Sequence, residues 1–176
     1  MTNKLLQAER EHLAGLLVAI QRCVFFLDAS VQKIAWPITA EYLEDNKKNI
    51  ALFESLSSIN ERFSKLQDTL GAAMRHAALL SGESGVTFLK ILAFYEKVGV
   101  IDSIDSWQLY RTTHNLAAHE YEIEYAGIAG HFNSLRELMP DLYADAWRFL
   151  QYCSETLGVS PSENDFADSF AHIMQK

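Results

Sequence analysis

The sequence predicts an all-α helical bundle of up-and-down helices with one long central helix, and three observations carry that expectation. Apolar residues recur at steps of three and four over long stretches, and no run of alternating β-branched residues competes with them. Clusters of Gly, Ser, Asp and Pro separate the periodic segments.

Leu13, Leu16, Leu17, Ile20, Val24 and Leu27 mark a first amphipathic helix over roughly residues 4 to 30, which Trp36 and Pro37 bring to an end. Leu52, Leu56, Ile59, Phe63, Leu66, Leu70, Ala73 and Ala77 then hold the same alternation over about four heptads, which is the seam of a long helix packed lengthwise on its neighbours. The pattern alone does not separate an intramolecular seam from a dimer seam. Ser81, Gly82, Ser84 and Gly85 form a loop, after which Phe88, Leu89, Leu92 and Tyr95 or Glu96 give a short helix that stops at Gly99. Asp102 to Ser106 is a second turn, and Ser106 to about Glu122 is helical again. Pro140 is expected to open a helix carrying Leu142, Ala146, Phe149, Leu150 and Cys153, because proline suits a first helical turn. Ser160, Pro161 and Glu163 read as a capping box at the start of a last short helix. No repeat or low-complexity stretch interrupts the chain, so residues 1–176 are expected to form one domain.

Composition narrows the classes of function. With 49% hydrophobic residues the chain has the material for a core, which argues against disorder. The longest apolar stretch, Leu13 to Ile20, is cut by Gln21 and Arg22, so we expect neither a signal peptide nor a membrane span. The two cysteines, Cys23 and Cys153, fall inside apolar helical patterns and read as reduced core residues, which suggests the cytoplasm. A formal charge of −8 opposes broad contact with a phosphate backbone, since such contact needs clustered Lys and Arg. DNA binding is therefore not expected, and any RNA contact must use a local site.

One segment concentrates chemistry: Trp107-Gln-Leu-Tyr-Arg111-Thr-Thr-His114-Asn115-Leu-Ala-Ala-His119-Glu120-Tyr121. At about 100° per residue, Arg111, His114, Asn115, His119 and Tyr121 fall on one half of the helix, and Leu109, Thr113, Leu116 and Ala117 on the other. A solvated face with two ordinary histidines would look the same. Zinc is poorly served, because His114 and His119 are five residues apart and no further cluster completes a site. No Gly-x-Ser-x-Gly elbow supports a hydrolase triad. No metal and no cofactor are expected. Metal-independent RNA cleavage suits the residue types better: imidazole can act as acid or base, while amide and guanidinium groups steady the phosphoryl oxygens.

The phrase Trp107…Arg111…Asn115-Leu-Ala-Ala-His119-Glu120-Tyr121 resembles the signature of HEPN domains, and among them of HepT-like toxins, in which an Arg-Asn pair is followed three residues later by His-x-Tyr. Upstream, Glu61-Arg62-Phe63-x-Lys65-Leu66-Gln67-Asp68 and Gly99 are similar to the same group, so that the likeness spans roughly residues 58 to 125. The resemblance implies a helical bundle that pairs into a homodimer, bringing two motif helices to one cleft. It also implies a ribonuclease whose partner is a minimal nucleotidyltransferase antitoxin, which silences it by moving AMP onto the motif tyrosine. Carried over by position, Asn115 and His119 are the catalytic pair, Tyr121 the modified tyrosine and RNA the substrate.

The sequence departs from that pattern at one position: His114 stands where the family has Arg immediately before Asn115. Arg111 lies one turn earlier, about 60° away on the same face, so Arg111 or His114 is expected to serve the phosphate in its place. Asp102, Asp105, Glu120, Glu122 and Glu124 add negative charge nearby. A second reading from a different class follows, in which the face is catalytically silent and docks the nucleotidyltransferase or a nucleotide. His12, His76, His131 and His172 read as isolated surface or capping residues, and Tyr110, Tyr125, Tyr143 and Tyr152 as packing residues.

Overall fold

A computed structural model describes residues 3–83, 85–116 and 124–176, and these form seven helices with no strand among them. They are α1 (Asn3–Val31), α2 (Ala40–Asp45), α3 (Ile50–Leu80), α4 (Phe88–Lys97), α5 (Ile104–Leu116), α6 (Tyr125–Leu157) and α7 (Ala167–Met174). The all-α bundle with a long central helix is thus what the periodicity predicts.

The seam from Leu52 to Ala77 accounts for α3: its eight apolar positions are all buried, and Asn49 caps the start by accepting the Leu52 amide at 3.1 Å. This helix packs on α1, α4, α5 and α6. On α1, Leu13, Leu17, Ile20, Val24 and Leu27 are fully buried in the same core. By length and composition alone α1, over Lys4–Val31, is long and apolar enough to cross a membrane, with 44% of its most apolar window buried inside the bundle. Cys23 and Cys153 are free thiols.

Three elements differ from expectation. Pro140 lies inside α6 instead of opening a helix, and the helix begins fifteen residues earlier, at Tyr125. Proline there removes one backbone hydrogen bond and crowds the carbonyl four residues back, at a cost of about 3 kcal/mol. Buried Phe132, Leu135 and Met139 before it, and Leu142, Tyr143 and Ala146 after it, keep both halves seated on the core while Pro140 itself faces solvent. The Ser160-Pro161-Glu163 segment is not helical, and α7 starts only at Ala167. Gly158 ends α6 with φ +61°, a left-handed conformation that glycine adopts without strain, and the following chain runs onto α1, where the Ser162 amide donates to the Ala14 carbonyl at 3.2 Å. The six-residue α2 is too short for periodicity to reveal. Thr39 caps it, and Asn133 of α6 grips the adjoining Ile38 backbone at both its amide and its carbonyl.

α5 starts two residues before its expected Ser106, because Ser103 Oγ accepts the Ser106 amide at 2.9 Å and Glu96 accepts that of Ile104. Trp107, Tyr110 and Thr113 face the core, and the Tyr110 hydroxyl donates to the fully buried Asp145 at 3.2 Å. Asp145 also pairs with Arg148 and accepts the Asp102 amide. Leu109, on the half of the helix opposite the polar face, is 51% exposed, while Thr113 of the same half is buried.

Candidate functional site

A cleft of about 230 Å³ opens where α5 lies across α3 beside the start of α4. From α5 it is lined by Trp107, Arg111, His114 and Asn115, from α3 by Gln67, Asp68, Gly71 and Arg75, and from α4 by Phe88. Three of the residues expected on the motif face therefore share one concavity. Arg111 and Asn115 are exposed on its rim and His114 is half-buried. The other two, His119 and Tyr121, lie outside the described residues, as do Glu120 and Glu122.

Packing below the cleft sets its shape. Trp107 stacks edge-on against Phe88 and Tyr110, and Phe63 of α3 meets Tyr110 in turn. The two aromatic walls lie against α3 at Gly71, where a Cβ would just reach van der Waals contact, 3.4 Å from both Phe88 Cζ and Trp107 Cζ2. Gln67, 3% exposed, turns its amide nitrogen toward the Trp107 carbonyl at 3.4 Å, and its Oε1 has no hydrogen-bond partner among the described residues.

His114 is held from α3. Ser64 Oγ lies 2.5 Å from His114 Nε2 and 3.3 Å from Nδ1, so the ring shares a hydrogen bond with the serine at the cleft edge. Beneath it, His131 of α6 is buried, with Nε2 3.0 Å from Asn60 Oδ1. Burial, together with the neighbouring His114, pushes the His131 imidazole down to about 4. His131 is thus not the isolated surface histidine that the sequence suggests. Nor are His12 and His76 isolated: their rings are 4.4 Å apart, and His76 Nδ1 meets Glu9 at 2.7 Å. Tyr110 and Tyr143 are buried packing residues, as expected.

The cleft carries two guanidinium groups. Arg75 sits over the Phe88 ring, 4.0 Å from its centroid, and neither Arg75 nor Arg111 has a carboxylate within ion-pair distance among the described residues, although Asp68 shares the wall. Asp105 lies nine residues before His114, about 14 Å along the helix at 1.5 Å per residue, and sits in the first turn of α5 where a carboxylate favours the helix dipole. Among the described residues no group of three His, Cys, Asp or Glu side chains is placed to hold a metal ion.

Arg75 and Ser64 are absent from the expected site, yet a trace of them exists in the sequence. Asn60, Ser64, Gln67, Gly71 and Arg75 follow one another at steps of three and four, with Asp68 beside them, along one side of a helix that also carries an apolar seam. No family model matches the chain, and no curated protein or solved structure matches it.

Proposed function

We propose that this chain is a HepT-like HEPN protein, the toxin of a toxin–antitoxin pair, acting as a homodimeric, metal-independent ribonuclease that a nucleotidyltransferase partner silences by transferring AMP to Tyr121. One observation supports the reading most: Arg111, His114 and Asn115 line a single cleft, joined there by a second arginine from α3. Guanidinium and amide donors suit a phosphodiester, whose charge grows on the phosphoryl oxygens as the transition state forms. In the reaction the 2′-oxygen bonds to phosphorus, its proton passes to a base, and the bond to the 5′-oxygen breaks as an acid protonates that leaving oxygen. His119 is assigned the acid or base role, with Arg111 and Asn115 on the phosphate and His114 beside them.

A second reading, a catalytically silent module that docks the nucleotidyltransferase or a nucleotide, draws on the His114–Ser64 hydrogen bond. It places an imidazole engaged with a serine where the family has a permanent charge. Overproduction in a bacterial host without the partner separates the two. The ribonuclease reading expects slowed growth that His119→Ala abolishes; equal growth inhibition by both proteins would remove the motif as the cause, and a harmless wild-type protein would favour the docking module.

A further inference from the structure

Arg75 is not among the residues that carry the family resemblance, and its position is nevertheless defined. Its guanidinium lies over the Phe88 ring, so one side of the charge rests against an aromatic wall while donors remain for the cleft. Arg111 approaches the same cleft from α5. Neither cation is ion-paired among the described residues, and with Asp68 in the same wall they leave the cleft lining with an excess of one positive charge in a chain of net charge −8, a local spot that favours an anion.

The shape of the cleft limits what can occupy it. Its volume of about 230 Å³ is roughly that of eight water molecules at about 30 Å³ each, enough for a phosphate with part of the sugar attached to it. A rigid duplex keeps both strands wrapped on a cylinder, whereas an unpaired strand can turn one phosphate inward. Of the four buried polar atoms lacking a partner among the described residues, Gln67 Oε1 is the one that belongs to the cleft wall. That atom is closed off from solvent, so a ligand in the cleft meets instead the exposed side chains of Arg75, Arg111 and Asn115.

Resting on the ribonuclease reading above, we infer that Arg75 and Arg111 together grip one phosphate group of an unpaired RNA strand, Arg75 supplying from α3 the guanidinium that the motif lacks at His114. The arginine that the family keeps in its motif helix is here contributed by the neighbouring helix. The pair faces the cleft from two elements, so it can approach a phosphate from two directions, which a single imidazole at the same place does not.

The test uses the whole protein and uridine 3′-monophosphate, a probe with one phosphate and no phosphodiester to cut, followed by calorimetric titration. Arg75→Gln and Arg111→Gln are each expected to weaken binding by tenfold or more, while Arg22→Gln, exposed on α1, leaves it unchanged. Uridine without phosphate should not compete. A single-stranded RNA octamer should displace the probe at least ten times better than the same strand in a blunt duplex. Circular dichroism checks that each variant folds. Should Arg75→Gln fail to fold, Arg75→Lys keeps charge and stem but loses the fork, and an affinity drop of several-fold is expected from it. Unchanged affinity in the folded Arg75 variant, absence of wild-type binding at millimolar probe, or equal competition by duplex would overturn the inference. The two levels separate cleanly: arginine-dependent binding without RNA cleavage sinks the ribonuclease reading alone, and wild-type cleavage by Arg75→Gln sinks the clamp alone.

Discussion

Replacing Tyr95 with alanine is expected to lower stability by about 3–5 kcal/mol, a large part of the 5–15 kcal/mol that ordinarily holds a domain together. Tyr95 is fully buried and is the largest of the side chains, with Ile91 and Leu92, that α4 buries in the bundle. Its ring packs edge-on against Phe94, Phe149 and Tyr152, and its hydroxyl donates to the Met74 carbonyl at 3.3 Å. Removing it leaves a cavity between α3, α4 and α6 and takes away a second hydrogen bond to a helix carbonyl. Tyr95→Phe keeps the ring and loses only the hydroxyl, so it should cost about 1 kcal/mol. Urea denaturation followed by circular dichroism measures both; a midpoint for Tyr95→Ala within error of wild type would show that α4 is held by something else. Because α4 also carries Phe88, the larger loss should loosen the cleft wall on which Arg75 rests.

The second large effect is a pair of opposed pH dependences. Burial raises the Asp145 carboxyl from 3.8 to about 6, against the lowering influence of Arg148 and of the Tyr110 and Asp102 hydrogen bonds. A carboxyl whose folded pKa is raised contributes stability that is fully present below about 4 and is lost as pH climbs toward 6. His131 behaves in the opposite sense. Its pKa is lowered from 6.5 to about 4, chiefly by burial, so its contribution is intact above 6.5 and is lost as pH falls toward 4. At about 1.4 kcal/mol per pKa unit each effect is on the order of 3 kcal/mol, and between pH 4 and 6 they largely cancel. Asp145→Asn should therefore gain on wild type as pH rises through that window, and His131→Gln should gain as pH falls through it. Thermal melts at half-unit pH steps read the differences; curves parallel to wild type for both variants would contradict the assignment.

The physical history of each element decides how visible it is in the sequence. The α3 seam is legible because one helix buries the same face for its whole length, so steps of three and four persist from Leu52 to Ala77. The first half of α6 obeys the same rule through Phe132, Leu135 and Met139, but Pro140 speaks locally for a boundary that packing on both sides overrides. The end of the chain misleads in the reverse way. Ser160, Pro161 and Glu163 are a good local start signal, but they stay outside any helix, with the Ser162 amide bonded across to α1.

The candidate site divides along a similar line. Arg111, His114 and Asn115 are neighbours on one helix face, and helical geometry alone brings them together. Arg75 and Ser64 reach that face across a helix–helix contact, and no local pattern reports which helix α5 will cross. His131 is hidden for the same reason: its partner Asn60 is seventy-one residues away in the chain. The steps of three and four from Asn60 to Arg75 are the kind of signal that points to a contact without naming the other side.

The most direct test of the central claim is incubation of the purified protein with a single-stranded RNA oligonucleotide in excess EDTA, with the products resolved on a sequencing gel and their ends characterised. Cleavage by attack of the 2′-oxygen predicts fragments ending in 2′,3′-cyclic phosphate, formed in EDTA as in its absence, and lost in both His119→Ala and Arg111→Gln. Intact RNA with the folded wild-type protein, or cleavage that survives both substitutions, would contradict the account.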